Sequence, residues 1–308
     1  MNGTVFHEQQ FLAYHSAGKF NFHHLLFLEK GNIVAVLPGG FTRDGVAYES
    51  PVGSSYGSFV VEDISADTAL AIVRAFEEYI KTTGVKEVFL TQAPVIYQPI
   101  ITQNLEFALL YSGYAYQRHY ISHAIDLTSG VPPLDRFQPT ARRHVRKIMR
   151  EHPEIVVEEI SGDKMAKVMK EFYPIMLENK ARFETKPTHS LEDLIHIHEL
   201  LPNLMKLFTA RVAGELIAGF LIFLANSRVA LSFYPMMNYA FEEYKPIFLL
   251  SDTAMTWAQA NGYSFFDLGV SQDTNDENPM TPKLSLIRFK EKFDSRGLLR
   301  STLWKRYD

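Results

Sequence analysis

The sequence predicts an α/β protein with two tandem domains of one topology, and three observations support this. The chain has 308 residues, which is enough for two domains of ordinary size. Its composition, with 46% hydrophobic and 21% charged residues, is that of a globular protein. One order of elements also occurs in each half of the chain: a hairpin, a strand, an amphipathic helix closed by glycine, and a second strand.

In the first half, two apolar runs turn about Gly31 and predict a hairpin. The next segment, residues 46–58 (VAYESPVGSSYGS), predicts a strand that breaks into a Gly/Ser loop. Residues 66–84 carry apolar side chains at helical spacing and end in glycine, which favours a helix with a left-handed C-terminal cap. Residues 85–90 predict the following strand.

The second half repeats this order with low identity to the first. It has a hairpin about Gly214, a strand over 229–234, a helix over 246–261 closed by Gly262, and a buried strand over 263–268. The capping glycines of the two helices lie roughly 180 residues apart, which is the scale of a domain repeat.

The division between the domains is predicted near residues 126–133, where two prolines follow a turn sequence. We therefore predict an N-terminal domain over 1–130, a basic linker helix over 131–152 that ends before Pro153, and a C-terminal domain over 153–308. A strand over 154–160 and a helix over 162–182 open the second domain.

The bulk properties exclude several classes of site. The chain has no cysteine, so thiol nucleophiles, disulfides and cysteine-based metal sites are excluded. The formal net charge of -4 gives no prior for nucleic acid. No secretory signal is visible, and the most apolar window, residues 216–225, is about half the length of a membrane helix. We expect a cytoplasmic protein without a membrane span.

The order of elements over residues 206–293 resembles the acyl-transfer core of the GNAT superfamily. Its ending, FDLG followed by a polar loop (271–282) and then FK, is similar to the FemABX-type branch, which transfers acyl or aminoacyl groups to amines. The resemblance implies an α/β fold of two tandem GNAT-like domains, each with a mixed central sheet flanked by helices. It also implies an N-acyltransferase with its transfer site in the second domain.

The resemblance places Phe289 and Lys290 in the transfer site. A lysine there stabilises charge on the attacked carbonyl or holds an anionic donor. The alternative is a solvated cationic face around buried apolar residues. The sequence also departs from the family, because Asp294 stands where a glycine usually follows the second aromatic residue.

Two further residues are candidates for proton transfer. Asp267, on the predicted buried strand, is a candidate base for the acceptor amine, and its alternative is a structural partner of backbone or lysine. Tyr234, at the end of the strand before the long helix, is a candidate acid for the leaving group, and its alternative is core packing.

The donor stays open between two classes. GNAT enzymes that use acyl-CoA usually have a glycine-containing phosphate loop before this helix, but residues 235–246 contain no glycine. The corresponding loop of the first domain does contain glycines, so Gly53 and Gly57 are candidate cofactor-binding residues, with a plain turn as the alternative. Either an acyl-CoA or an aminoacyl-tRNA is therefore expected as the donor.

Two segments supply the candidates for substrate binding, the basic helix and the turn before the next helix. Arg142, Arg146 and Arg150 share one face of the basic helix, a pattern that suits phosphate groups or a tRNA end. Lys186 and His189 precede a predicted helix that Ser190 caps, and both are candidates to face the acceptor. The alternatives are a solvated helix and a capping role alone. The four candidates are Arg142, Arg146, Lys186 and His189.

No metal is expected, because the histidine pairs lack carboxylates at ligand spacing. The acceptor is expected to be a cell-envelope precursor or a small amine. Two other functions remain open. One is a non-catalytic binding module that holds an anionic ligand, and the other is a structural repeat protein that acts through partner contacts.

Overall fold

The structure is a computed structural model that describes residues 1–273 and 276–308. The described chain divides into two compact units. Unit 1 contains Met1–Ile121, Gln272–Thr281 and Leu298–Asp308, and unit 2 contains Ser122–Ser271 and Pro282–Gly297. Residues 274 and 275 of the predicted polar loop lie outside the described residues.

Unit 1 begins with a short 3-10 helix (Val5–His7) and contains most of the small strands. Its helices are α1 (Gln9–Leu12), α2 (Ala66–Thr83) and α3 (Asn104–Tyr111). Its strands are β1 (Asn21–Phe22), β2 (Leu25–Glu29), β3 (Asn32–Leu37), β4 (Gly40–Phe41), β5 (Ala47–Ser50), β6 (Val60–Val61) and β7 (Glu87–Thr91). The first residues of β8 (Ala115–Asp126) and most of β14 (Arg296–Arg306) also belong to it.

The main sheet of unit 1 has the order β1, β4, β5, β7, β14. Only the β5–β7 pair is parallel, and α2 lies between these two strands in the chain. Strands β2, β3 and β6 form a separate antiparallel sheet. The apolar face of α2 packs into the core of this unit through Ile72, Val73, Phe76 and Ile80, and Gly84 ends the helix with φ +77°.

Unit 2 starts with the end of β8 and carries the longer helices. Its helices are α4 (Pro133–Arg136), α5 (Pro139–Glu151), α6 (Lys164–Ala181), α7 (Leu191–Leu200), α8 (Pro246–Ala260) and α9 (Leu284–Glu291). Its strands are β9 (Val156–Ile160), β10 (Met205–Val212), β11 (Glu215–Leu224), β12 (Val229–Met237) and β13 (Phe265–Val270). A 3-10 helix (Tyr239–Tyr244) precedes α8.

The sheet of unit 2 has the order β8, β13, β12, β11, β10, β9. Again only one pair, β12–β13, is parallel, and α8 lies between these strands in the chain. Strand β11 is buried along nearly its whole length, because helices cover both faces, and it therefore reads as a continuous apolar run.

The predicted fold class is confirmed. Each unit is α/β, with a mixed sheet flanked by helices and one parallel strand pair joined through a helix, so two GNAT-like domains occur in tandem. Two segments belong to other units than the domain boundaries predicted from the sequence would place them in. Helix α5 belongs to unit 2, because Ala141, Val145 and Ile148 are part of its core. Residues 298–308 belong to unit 1, because β14 pairs with β7 there.

Two kinds of feature are absent from the described residues. No helix in them is both long and apolar enough to cross a bilayer. No group of three or more histidine, aspartate or glutamate side chains in the described ranges is arranged to hold a metal ion.

Candidate active site

The candidate site lies in unit 2, where the parallel ladder between β12 and β13 ends. The ladder pairs Val229 with Phe265 and ends at the pair Leu231–Asp267. Beyond it β12 continues to Met237 and β13 to Val270, with no register between them. Such a gap between parallel strands leaves backbone groups available to a ligand.

A β-bulge follows on the other edge of β13. Asp267 pairs with Ala124 and Val270 pairs with Ser122, so two residues, Leu268 and Gly269, lie opposite one residue of β8, His123. Gly269 has φ +73°, a left-handed conformation that glycine adopts without strain. The bulge turns the end of β13 away from regular pairing, as bulges beside functional sites do.

Lys290, near the end of α9, reaches this bulge. Its ammonium group donates hydrogen bonds to the carbonyl oxygens of Gly269 (2.7 Å) and Val270 (2.8 Å). The residue is only 6% exposed. An ammonium group has three N–H donors, and among the described residues the third has no acceptor. One N–H group of Lys290 is therefore not used by the two carbonyl oxygens and is available to a ligand.

Asp267 is completely buried beside this lysine. Its Oδ1 accepts hydrogen bonds from the Ser122 hydroxyl and the Gly269 backbone N–H, both at 2.7 Å. These bonds stabilise the carboxylate and hold the bulge in one geometry. Asp267 thus helps to hold the bulge in place, and its role as a proton acceptor stays a prediction.

Burial changes the proton affinities of two groups here. It lowers the pKa of Lys290 from 10.5 to about 8, and the nearby Asp267 charge partly opposes the shift. Burial also lowers the pKa of His123, and the Lys290 charge lowers it further. His123 is therefore neutral near pH 7, and its Nδ1 has no hydrogen-bond partner among the described residues.

Phe289 belongs to an aromatic cluster rather than to the polar centre. Its ring contacts those of Phe248 (5.5 Å between centroids) and Phe293 (5.1 Å). Both contacts are edge-to-face, a favourable arrangement for aromatic rings. Phe289 therefore attaches α9 to the start of α8 and so helps to place Lys290.

Asp294 takes up the left-handed conformation for which glycine is suited. Its φ is +61°, and its carboxylate pairs with Arg136 at 2.7 Å and with Arg296 at 2.8 Å. Aspartate tolerates this conformation better than most residues. The aspartate that departs from the family pattern thus adopts a left-handed backbone conformation and makes two ion pairs.

The start of α8 is surrounded by positive charge. Lys245, immediately before α8, has φ +47°. His144 of α5 contacts Phe248 of α8, and its pKa is lowered by burial and then by the nearby cations Lys245, Lys292, Arg143 and Lys147. The segment before α8 lacks glycine, but side-chain cations are concentrated where the positive end of the helix dipole also lies.

Tyr234 lies in a second polar cluster of unit 2. Its hydroxyl is 3.0 Å from His189 Nδ1 and accepts a bond from the His189 backbone N–H at 3.3 Å. Burial raises the pKa of Tyr234 to about 12. Tyr173 donates to the His189 carbonyl oxygen at 3.2 Å. Tyr234 and His189 are thus brought together, and both are buried.

The other candidates for substrate binding are more exposed. Lys186 lies on the surface before α7, and Ser190 caps α7 as predicted, with a bond from the Asp193 N–H to its hydroxyl at 3.0 Å. Arg142 donates to the Asp135 carbonyl oxygen, and Arg146 pairs with the Asp135 carboxylate at 3.0 Å. Local partners therefore satisfy part of the arginine stripe.

The two glycines of the first domain have close packing as a structural reason. A side chain at Gly53 would collide with His15 and Phe20, and one at Gly57 with the backbone at Pro51. Gly57 also bridges Gln92 and donates its N–H to the Thr91 carbonyl oxygen at 2.9 Å. Their role in cofactor binding stays a prediction.

Sequence reasoning missed Ser122 and His123. They follow a run of polar and aromatic residues in β8, where no motif marks them. Only the pairing of β8 with β13 places them beside Asp267, from which they are far in sequence.

Residues 136–278 match the protein family described as the acetyltransferase (GNAT) domain. This segment, slightly less than half of the chain, is similar to GNAT domains. It contains the β12–α8–β13 unit and Asp267, while Lys290 follows just after the matched residues. No curated protein sequence matches this chain significantly.

Solved structures of low identity share the fold over nearly the whole chain. FemX superposes with a TM-score of 0.73 at 12% identity, covering 98% of this chain and 92% of FemX. The C-terminal domain of a proposed lysylphosphatidylglycerol synthetase from Agrobacterium fabrum has a TM-score of 0.62 at 16% identity, covering 97% and 87%. A tandem GNAT protein from the clavulanic acid biosynthesis pathway has a TM-score of 0.53 at 9% identity, covering 97% and 88%. The resemblance to FemABX-type proteins is confirmed for the fold.

Proposed function

We propose that this protein is an N-acyltransferase that transfers an acyl or aminoacyl group from a thioester or ester donor to an acceptor amine. One observation carries the proposal: the remaining N–H donor of Lys290 at the bulge where the β12–β13 ladder ends. The GNAT match of this segment supports an acyl-transfer chemistry.

The reaction is direct attack of the amine on the donor carbonyl carbon. A C–N bond forms, the C–S or C–O bond breaks, and negative charge develops on the carbonyl oxygen in between. A hydrogen bond from a buried ammonium group stabilises that charge more strongly than one from water would. The third donor of Lys290 has this role in the proposal, while its bonds to Gly269 and Val270 hold it in place.

Proton transfer completes the reaction. The amine loses a proton, for which the neutral imidazole of His123 is a candidate acceptor, since its pKa is lowered. Tyr234 is the candidate donor to the leaving group, because its raised pKa keeps it protonated. No covalent enzyme intermediate is required, because the amine itself is the nucleophile.

The donor we propose is an anionic acyl-CoA. Its phosphates would be held at the start of α8 by the cations that surround His144, in place of the glycine loop. An aminoacyl-tRNA is the alternative donor and would use the same positive charge.

The acceptor we propose is the amine of a cell-envelope precursor or of a small molecule. The similar fold of a proposed lysylphosphatidylglycerol synthetase supports an envelope acceptor. Lys186, His189, Arg142 and Arg146 remain the candidates for binding it. A cytoplasmic location is part of this proposal, because such donors occur there.

The test is a binding titration of coenzyme A, acetyl-CoA and longer acyl-CoAs by calorimetry, followed by assay of free thiol release with a panel of amines. Three proteins are compared: wild type, Lys290→Met, and Arg288→Ala. Arg288 is the matched control, since it is an exposed cation in the same turn of α9. We expect wild type and Arg288→Ala to bind and turn over, and Lys290→Met to bind with a turnover lower by about 100-fold.

Other outcomes separate the alternatives. Binding without turnover by any amine favours the non-catalytic module, for which the absence of glycine in residues 235–246 also speaks. If no coenzyme A derivative bound but charged tRNA bound in a filter assay, the donor would be an aminoacyl-tRNA and not an acyl-CoA. Equal turnover by Lys290→Met and wild type would contradict the role of Lys290.

A further inference from the structure

Unit 1 contains a cavity of about 230 Å³, and all the described residues that line it belong to that unit. It lies beside the parallel bridge between Gly57 and Gln92, just beyond the end of β7. Its volume is slightly below the roughly 300 Å³ at which typical ligand pockets begin. The cavity therefore suits a small molecule or one end of a larger one.

Two buried hydroxyl groups line this cavity without a protein partner. Ser58 is 3% exposed and Ser301 is 9% exposed, and neither hydroxyl makes a hydrogen bond to another described residue. Neither oxygen is among the fully enclosed unpaired polar atoms, so both retain accessible surface and can bond to water or a ligand in the cavity. The two serines therefore favour a ligand that carries a hydrogen-bonding group.

The charge of the lining is predominantly negative. Glu62, Asp63 and Glu106 all line the cavity, while no lysine or arginine among the described residues does. Burial lowers the pKa of His7, which is therefore neutral near pH 7. An organic anion would be repelled by three carboxylates, whereas a cation would be attracted.

The carboxylate of Glu106 is held in position. Tyr116 donates to its Oε1 at 2.9 Å, and Gln103 donates to its Oε2. The remaining lining is largely apolar, with Val61, Ile64, Val95 and Leu299 among its members. A ligand here therefore meets carboxylates, an apolar wall and two hydroxyl groups.

We propose that this cavity is a binding site for a small organic cation, which places its ammonium group at the carboxylates and a carbonyl or hydroxyl group at Ser58 and Ser301. The site belongs to unit 1 and does not depend on the transfer chemistry of unit 2. Its failure would therefore leave the proposed function untouched.

The test uses three ligands of one shape and different charge: phenylalaninamide, 3-phenylpropanamide and 3-phenylpropanoate. Binding to the full chain is measured by saturation-transfer NMR titration, at up to roughly 20 mM because a ligand of this size binds weakly. We expect saturable binding of the cation, binding of the neutral amide that is weaker by about three- to tenfold, and weakest binding of the anion.

Two double variants locate the site. Glu62→Gln/Asp63→Asn is expected to weaken phenylalaninamide by about three- to tenfold and to leave 3-phenylpropanamide unchanged, because only the charge is removed. Ser58→Ala/Ser301→Ala is expected to weaken both amides equally. The control is Glu29→Gln/Glu78→Gln, which removes two exposed carboxylates of the same unit that do not line the cavity.

The proposal would be overturned by any of three results. These are no saturable binding of phenylalaninamide to wild type, binding of 3-phenylpropanoate as tight as that of the cation, or equal weakening by the control variant. Melting temperatures of all variants are measured alongside, so that a loss of fold is not taken for a loss of binding.

Discussion

The ammonium group of Lys290 is 2.7 Å from the carbonyl oxygen of Gly269, the glycine of the bulge opposite His123. A lysine from α9 thus stabilises an irregular end of β13. Since Gly269 has φ +73° and lies two residues beyond the end of the parallel ladder at Asp267, this bond connects the lysine to the region where the two central strands separate. The Lys290 nitrogen therefore both stabilises the bulge and carries the N–H donor on which the proposed chemistry depends.

The first prediction concerns the pH dependence that Lys290 gives to stability. Its pKa in the folded chain is about 8, against 10.5 ordinarily, so between these values the unfolded chain binds more protons. Stability therefore rises with pH in this window, by up to about 1.4 kcal/mol per pH unit. In Lys290→Met this contribution is absent.

Urea unfolding of wild type and Lys290→Met at several pH values measures this effect. The difference in unfolding free energy is expected to grow in favour of wild type as the pH rises from about 8 to 10.5. Arg288→Ala is expected to differ from wild type by a constant amount. A constant difference for Lys290→Met as well would contradict the lowered pKa.

The second prediction separates backbone strain from ion pairing at Asp294. Asp294→Ala loses the bonds to Arg136 and retains a left-handed conformation that disfavours alanine. Asp294→Gly loses the same bonds but relieves the strain. The alanine variant is therefore expected to be less stable than the glycine variant by about 1 kcal/mol.

Chemical denaturation of the two variants decides the point. Arg296→Ala serves as the control, because that arginine side chain is 75% exposed and its pair with Asp294 is expected to contribute less than about 1 kcal/mol. If the glycine variant proved less stable than the alanine variant, the left-handed conformation at this position would be wrong.

The third prediction concerns the contact of β11 with α6. A side chain at Gly219 would lie 2.6 Å from Phe172 Cδ2, and Phe172 is fully buried. Gly219→Ala is therefore expected to destabilise the protein by about 1–3 kcal/mol through overpacking.

A double-mutant cycle tests whether Phe172 is the cause. Phe172→Leu makes space for the added methyl group. In that background Gly219→Ala is therefore expected to lower the free energy of unfolding by at least about 1 kcal/mol less than it does in wild type. Additive losses would place the strain elsewhere. Gly214→Ala at the hairpin turn, where nothing lies within 4 Å, is the comparison for strain without crowding.

The fourth prediction concerns Asp252 of α8. Burial raises its pKa from 3.8 to about 6, and Asp135 adds to the shift, while a bond from Thr256 opposes it. A raised carboxyl pKa contributes stability at low pH that is lost as the pH rises through about 6. Asp252→Asn is therefore expected to stabilise the protein by roughly 1 kcal/mol near pH 7.5, after allowance for partial exposure.

Thermal unfolding at two pH values checks this sign. The gain from Asp252→Asn is expected to shrink as the pH falls from about 6 and to disappear below about 4, where the carboxyl becomes protonated in the unfolded chain as well as in the folded one. Glu178→Gln, a change at an exposed carboxylate of α6, is expected to show no such difference. A gain that is equal at both pH values would show that charge is not its origin.

Several elements could be predicted because their signals are local. The helices over 66–83 and 246–260 carry apolar periodicity and an ending glycine, and the hairpin about Gly214 has a turn between two apolar runs. The N-cap at Ser190 depends only on its own first turn. Local propensity and local hydrogen bonds decide such features, so they do not require knowledge of distant residues.

The sequence by itself determined the α/β class, the tandem repeat and the position of Lys290 after a buried strand. Only the tertiary structure decided that Ser122 and His123 lie beside Asp267, that Asp267 is fully enclosed, and that Asp294 has the backbone of a glycine with two ion pairs. The physical reason is that strand pairing joins residues about 145 positions apart, as for Ser122 and Asp267. The register of such a pair follows from the packing of the whole sheet, which no local pattern contains.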